Sequence, residues 1–516
     1  MTRAAPPSSG ESPLAVEFCS ITKRFGAVVA NDGVSFGIAA GAIHGIVGEN
    51  GAGKSTLMSI LYGFYQADAG TLRLHGQETP IPTSHAAIAQ GIGMVHQHFM
   101  LVDAFTVLEN VVLGVEGGAL LGPGLDAARR KLAALGTEYG LEVDPDAVVG
   151  TLPVGVQQRV EILKTLYRGA GIMILDEPTA VLTHQEVAGL FRTLHRLSAE
   201  GKTVVIVTHK LDEIMAVTDA VTVMRAGKAV AQLKTTETSA AEIAELMVGR
   251  KLAPPKRLPA TPGPVVLAVK DLGLEDARGV TRLDRIGFEV RRGEILGIAG
   301  VSGNGQTELL DVLAGLLPPS RGALLFHGQD LARLHGPDLP ARLRRLGIAH
   351  VPEDRLGAGL VTGFDAAENA VLGYQADAAL GPGPLLRPGR LVERCRRFMA
   401  KFDVRPADPS LRVSLFSGGN QQKLVLAREL DRDPELLLIG QPTRGVDIGA
   451  IEFIHGQLLA LRAAGKALIM VSTELEEILA LADRILVMCG GRITGELAAA
   501  DADEAKIGLL MAGLAA

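Results

Sequence analysis

The sequence predicts an α/β fold written twice, as two homologous halves that each hold a mostly parallel sheet surrounded by helices. Three observations carry this. Short apolar runs, Ala42–Val47, Ile172–Leu175 and Val204–Val207 among them, are each followed by turn chemistry and then a helical stretch, the alternation that builds buried parallel strands. Five segments then recur in the same order. Gly48-Glu49-Asn50-Gly51-Ala52-Gly53-Lys54-Ser55-Thr56 returns about 250 residues later as the segment Gly300 to Glu308. Gly91–Val95 returns as Gly347–Val351, Glu109–Gly114 as Glu368–Gly373, Asp176–Thr179 as Gly440–Thr443, and Val207–Leu211 as Val471–Leu475. Finally, 47% of the 516 residues are hydrophobic and 21% charged, which supplies several cores and argues against disorder over most of the length.

Taken in order, residues 1–13 read as a Pro/Ser-rich lead-in without the apolar centre of a signal peptide. Residues 14–250 form the first domain, with an Ala/Leu/Arg-rich helical subdomain at about 105–170. Residues 251–264 are a Pro-rich linker, stiff and extended because proline disfavours helix. Residues 265–516 form the second domain, with its helical subdomain at about 365–430. The longest apolar stretch, Val111–Leu125, is interrupted by Glu116, by glycines and by Pro123, so no membrane span is expected and the chain reads as soluble. The formal charge of −6 puts whole-surface nucleic-acid binding at a disadvantage. Cys19, Cys395 and Cys489 are scattered without a C-x-x-C pair and read as reduced thiols in the core.

The first half holds the chemistry. Gly48–Ser55 fits G-x-x-x-x-G-K-[ST] after an apolar strand and before a helix, the context in which backbone N–H groups and a helix N-terminus surround phosphate oxygens. Lys54 is then expected at the β- and γ-phosphates and the Ser55 hydroxyl on Mg2+. Asp176 and Glu177 end another apolar strand, where carboxylates are costly unless paired or metal-bound. Asp176 is expected to hold Mg2+, directly or through water, and Glu177 to act as general base toward the attacking water. His209 follows a third apolar strand; a lone histidine is commonly structural, but this position suits a γ-phosphate contact. The amide of Gln97 can reach Mg2+ or the attacking water.

The order phosphate loop, Gln97, Gln157-Gln158-Arg159, Asp176-Glu177, His209 resembles the ATP-binding cassette of ABC transporters, and Ser417-Gly418-Gly419-Asn420-Gln421-Gln422-Lys423 is similar to the ABC signature. The resemblance runs from Val16 to about Gly495. With two cassettes on one chain, it resembles the ATPase subunits of bacterial simple-sugar and nucleoside importers. It implies two tandem nucleotide-binding domains, each with an antiparallel β part beside the parallel core. The implied ligands are ATP and Mg2+, and the partners two transmembrane permease subunits and, indirectly, an extracytoplasmic solute-binding protein. The implied place is peripheral, on the cytoplasmic face of the bacterial inner membrane, with no nucleic-acid partner. Cassettes of this family pair head to tail, within one chain or with a second copy. Such pairing implies that Ser417, Gly418, Gly419, Asn420 and Asp447 complete the site built on Lys54. Phe25 stands where the family stacks an aromatic on adenine; taken by itself it reads as a core residue.

The same geometry implies a second composite site in which the parts are gone. Gln306 replaces the lysine, Glu353 replaces Gln97, Gly440-Gln441 replace the acidic pair, and Thr473 replaces the histidine. Its signature would be Leu152-Pro153-Val154-Gly155-Val156, and Thr183 stands where Asp447 stands in the other half. The losses all fall on one site, so one hydrolytic and one degenerate site are expected. His96–Val102 and Gly449–His455 look more like the nucleoside branch than the ribose or galactose branch. A twin-cassette ATPase acting on ribosomes or DNA is the distant alternative; the short Pro-rich linker and the acidic charge disfavour it.

Overall fold

A computed structural model describes residues 13–26, 28–96, 99–115, 121–179, 182, 184–251, 262–331, 334, 336, 338–381 and 385–514. Residues 1–12 of the expected lead-in and 252–261 of the expected linker lie outside the described residues. The chain divides into two compact units, Met1–Leu252 and Ala253–Ala516.

Unit one contains β1 (Leu14–Phe25), β2 (Val28–Ala39), β3 (Ile43–Val47), β4 (Ala69–Leu74), β5 (Gln77–Glu78), β6 (Ile92–Val95), β7 (Ile172–Asp176), β8 (Thr203–Val207), β9 (Ala220–Arg225) and β10 (Lys228–Lys234). They form an antiparallel sheet ordered β2-β1-β4-β5 and a six-stranded sheet ordered β10-β9-β3-β8-β7-β6, parallel except at the β10 edge. Strands β3 and β8 are buried at every position, which is why they read as unbroken apolar runs: a parallel sheet covered on both faces exposes neither. One core cluster fills the space between the two sheets, around Phe18, Ile38, Leu57 and Ile174. A second lies between the large sheet and the helices Val107–Val112, Leu121–Tyr139, Val154–Tyr167 and His184–Ala199.

Unit two repeats this plan. Its strands β11 (Val265–Glu275), β12 (Thr281–Arg291), β13 (Ile295–Ala299), β14 (Arg321–Phe326), β15 (Gln329–Asp330), β16 (Ile348–Val351), β17 (Leu436–Gly440), β18 (Ala467–Val471), β19 (Arg484–Cys489) and β20 (Arg492–Ala498) form sheets ordered β12-β11-β14-β15 and β20-β19-β13-β18-β17-β16. These are the orders of unit one, strand for strand, so the sequence repeat is a repeat of architecture. Helices Ala366–Asn369, Pro388–Lys401 and Gly418–Leu430 lie in the stretch expected to be helical. The thiols correct one expectation: all three are free, but only Cys395 is buried, while Cys19 and Cys489 are half-exposed. Cys19 sits on the antiparallel sheet and Cys489 ends a strand, where one face meets solvent.

Candidate active site

Three neighbouring parallel strands bring the expected residues of unit one together. In register, Ile46 on β3 lies beside Val207 on β8, and Val207 beside Asp176 on β7. The residues that follow, Gly48, Thr208-His209 and Glu177, therefore emerge at one edge, outside the carboxyl ends of the sheet where open α/β sheets place ligands. The loop Gly48–Gly53 leaves β3 and enters the helix Lys54–Leu61. Gly51 (φ +85°) and Gly53 (φ +96°) adopt left-handed backbone. At Gly53 even the space is closed, because a Cβ there would stand 2.2 Å from the carbonyl oxygen of Ala30. Lys54 is 6% exposed and folds back into the loop, donating to the carbonyls of Gly48 (2.7 Å) and Glu49 (3.1 Å). Burial lowers its pKa, opposed by the charges of Glu177, Asp176 and Glu49.

Glu177 sits at φ +47°, a left-handed conformation that costs a non-glycine residue about 1 kcal/mol or more. Its N–H donates to the carbonyl of Val207 (2.8 Å), and its Oε1 accepts from Nδ1 of His209 at 2.8 Å. That hydrogen bond is the main reason the Glu177 carboxyl is held below its usual pKa, against the opposing effect of burial. Asp176 moves the other way: burial and the adjacent Glu177 charge raise it, while Lys54 and a hydrogen bond from Ser55 pull it down. The two carboxyls are thus differentiated, Glu177 shifted down and Asp176 shifted up.

The rest of the expected set is distributed as follows. Gln97 lies outside the described residues. Phe25 ends β1 and is 43% exposed, edge-on to Tyr65 with centroids 5.1 Å apart, so the core reading of this ring is overturned: here β1 is still paired with β2 but has passed its last pairing with β4, at Thr22 and Ala69. Asn31 was not legible in the sequence. It is fully buried on β2 and its Nδ2 donates to the Gly53 carbonyl at 3.1 Å, a support that only the tertiary approach of β2 to the loop creates.

Unit two keeps the scaffold but carries uncharged residues in place of the lysine, the acidic pair and the histidine. Gln306 takes the place of Lys54, 5% exposed, with Nε2 donating to the Val301 carbonyl at 3.3 Å. Gln441 repeats the left-handed turn at φ +46° and the N–H bond to Val471 (2.8 Å). Its Oε1 accepts from the N–H (3.2 Å) and hydroxyl (3.1 Å) of Thr473, a neutral copy of the Glu177–His209 pair. Thr307, at the position of Ser55, donates to Glu353 at 2.7 Å.

The signature residues of unit two gather around one helix start. Ser417 caps the helix Gly418–Leu430, and its Oγ accepts from Nδ2 of Asn420 at 2.8 Å. A Cβ on Gly419 would stand 2.9 Å from Oδ2 of Asp447, which in turn caps the helix Ile448–Ala463. The corresponding start in unit one, at Val154, has Pro153 as its cap residue and no side-chain cap. Thr183 lies outside the described residues.

A sequence model of the ABC transporter family matches residues 31–180 and again 283–444. The chain belongs to the ABC transporter family. Each match covers a phosphate loop and its partner strand, so both units are ABC cassettes. Among the similar proteins is the nucleoside import ATP-binding protein NupA of Lactococcus lactis subsp. cremoris, 44% identical over 96% of this chain and 98% of that protein. The guanosine import ATP-binding protein NupO of Bacillus subtilis is 43% identical over 96% and 97%. The glucose import ATP-binding protein TsgD13 of Haloferax volcanii is 43% identical over 96% and 95%.

Within the first ABC cassette, the Glu177–His209 pair yields a prediction. His209→Ala removes the hydrogen bond that holds the Glu177 pKa down, so that pKa rises. Turnover is expected to fall about 10- to 100-fold, with the acidic limb of the pH–rate profile moving to higher pH. A pH profile of ATP turnover checks both.

Proposed function

We propose that this chain hydrolyses ATP to drive import of a nucleoside through two membrane permease subunits, with a solute-binding protein delivering the solute. One observation carries the reading. Lys54, Ser55, Asp176, Glu177 and His209 converge on one sheet edge in unit one, whereas the charge-bearing positions carry Gln306, Gly440, Gln441 and Thr473 in unit two. In this reading Lys54 leaves the carbonyls of Gly48 and Glu49 for the β- and γ-phosphates, and the loop N–H groups take the remaining oxygens. Glu177 accepts the proton of the attacking water while His209 fixes its orientation. Ser417, Gly418, Gly419 and Asn420, with Asp447, are the nucleotide-binding signature of the second cassette, and Phe25 stacks on the adenine. The Ser55 hydroxyl and the Asp176 carboxylate already share a hydrogen bond, with Asp176 crowded by the Glu177 charge. This all-oxygen donor pair suits Mg2+, and Gln97 would join it. When bound, the ion neutralises phosphate charge.

Among the described residues no helix is long and apolar enough to cross a membrane, which is consistent with a peripheral place on separate permease subunits at the cytoplasmic face. The nucleoside reading is supported by the similarity to NupA and NupO. A simple-sugar solute is the second reading, supported by the similarity to a glucose import protein. Uptake of labelled guanosine, adenosine and ribose, compared in cells with and without this chain, separates the two. Loss of nucleoside uptake alone is expected; loss of ribose uptake alone would overturn the nucleoside assignment.

A further inference from the structure

In unit one a cleft of about 210 Å³ lies between the end of the helix Leu121–Tyr139 and the helices Val154–Tyr167 and His184–Ala199. Three arginines line it, Arg159 from the second of these helices and Arg192 and Arg196 from the third. Two of the guanidiniums stand against glycines of the wall. A Cβ built on Gly140 would be 3.2 Å from Nη1 of Arg196, and one on Gly189 would be 3.9 Å from Nη2 of Arg192. Among the described residues none of the three arginines forms an ion pair or a side-chain hydrogen bond. Two carboxylates are near. Glu186 packs against Gly155 in the wall, and Glu200 accepts the hydroxyl of Tyr139. Three cations against the single acid Glu186 leave the lining with an excess of positive charge. Thr193 ties two walls together, its hydroxyl donating to the Tyr139 carbonyl at 3.3 Å.

In unit two the same scaffold fills this space. The helix Ile448–Ala463 matches His184–Ala199 in length, position for position. Phe453 stands at the place of Gly189, Gly456 at that of Arg192 and Ala460 at that of Arg196. Phe402 is the counterpart of Tyr139, each two residues before an N–H that reaches back to a helical carbonyl, Val404 to Met399 and Leu141 to Gly136. The Phe453 ring packs on Phe402 with centroids 6.0 Å apart. Lys423, the counterpart of Arg159, lies with Nζ 4.9 Å from the Phe453 ring centre and donates to the Asp403 carbonyl at 3.1 Å. Room and unpaired guanidiniums therefore occur together in unit one, and where the room is filled two of the arginines are gone. A merely solvated helix face has no reason to couple the two. Like charges around one space repel, and an anion offsets that repulsion. Guanidinium forks match the paired oxygens of phosphate and carboxylate groups. The cleft is smaller than the roughly 300–1,000 Å³ of pockets for drug-sized ligands, which points to a small ion.

We propose that this cleft binds a small oxyanion carrying two or more negative charges, held by Arg159, Arg192 and Arg196. None of Lys54, Asp176, Glu177 and His209 lines it, so it is tested apart from hydrolysis. The full chain carrying Lys54→Ala, which weakens the phosphate loop as a competing anion site, is titrated by calorimetry at fixed ionic strength. Pyrophosphate is the phosphate probe and citrate the carboxylate probe. At least one is expected to bind, and the one that binds tells which oxyanion class the cleft takes. Arg192→Gln with Arg196→Gln is expected to weaken that binding about 10-fold or more, the scale of charge-assisted hydrogen bonds. Gly189→Phe copies unit two: it fills the space, leaves every charge in place and is expected to weaken binding as much. If Gly189→Phe does not fold, Gly189→Leu is read the same way, and unchanged thermal unfolding reports an intact chain. Binding of neither probe overturns the proposal, as does equal binding by parent and variants, which would belong to the phosphate loops. Loss with one variant alone also overturns it. The arginine variant alone would report diffuse attraction to exposed charge, and the filled cleft alone a ligand that needs no guanidinium.

Discussion

Glu177→Gln is expected to reduce steady-state ATP turnover at least about 100-fold, the lower scale for removing a general base, while ATP still binds. Glutamine fills the same volume and can keep a hydrogen bond to His209, so the left-handed turn at residue 177 has no new reason to rearrange. What disappears is the carboxylate that His209 holds ionised at 2.8 Å. Binding and chemistry therefore separate: the phosphate loop and Lys54 are untouched, whereas the attacking water loses its proton acceptor. Turnover measured beside nucleotide affinity checks both halves, and near-normal turnover would show that the base lies elsewhere.

Lys54→Ala is the second large effect, with both ATP affinity and turnover expected to fall about 100-fold or more, since a positioned cation is lost from the developing phosphate charge. The informative control is Gln306→Ala. Gln306 is as buried as Lys54, at 5% against 6% exposure, and folds back onto its loop in the same way. A purely structural role for this position would make the two substitutions cost alike. The present account expects Gln306→Ala to change turnover less than about 2-fold, because the lost amide carries no charge and its weak 3.3 Å bond contributes only about 1 kcal/mol to local stability. Turnover and thermal stability of both variants distinguish the cases.

The parts legible in the sequence were those fixed by local pattern. The apolar runs before Gly48, Asp176 and Thr208 had to be buried parallel strands, and parallel strands in register deliver their following residues to one edge. The internal repeat foretold that both units share one strand order. Illegible were the features made by distant approach. Nothing near Asn31 or Arg196 in the sequence says that one supports Gly53 and the other lies over Gly140, because chain separations of 22 and 56 residues are closed only by the folded sheet and helices. The core reading of Phe25 failed for a different reason: hydrophobicity alone does not tell whether a strand end is covered. The neutral Gln441–Thr473 bond lies between. Its residues were visible as losses, yet only the geometry revealed that they preserve the turn and the link between β17 and β18.

That preserved geometry makes the central claim, hydrolysis confined to the first cassette, directly testable. Gln441→Glu places a carboxylate at the matching left-handed position of unit two, and it is introduced into the Glu177→Gln chain assembled with its permease subunits. The account predicts that ATP turnover stays abolished, because Gln306, Gly440 and Thr473 still leave that site without its lysine, its metal-binding carboxylate and its histidine. Recovery of turnover in the double variant would contradict it, by showing that unit two needs only a base to hydrolyse ATP.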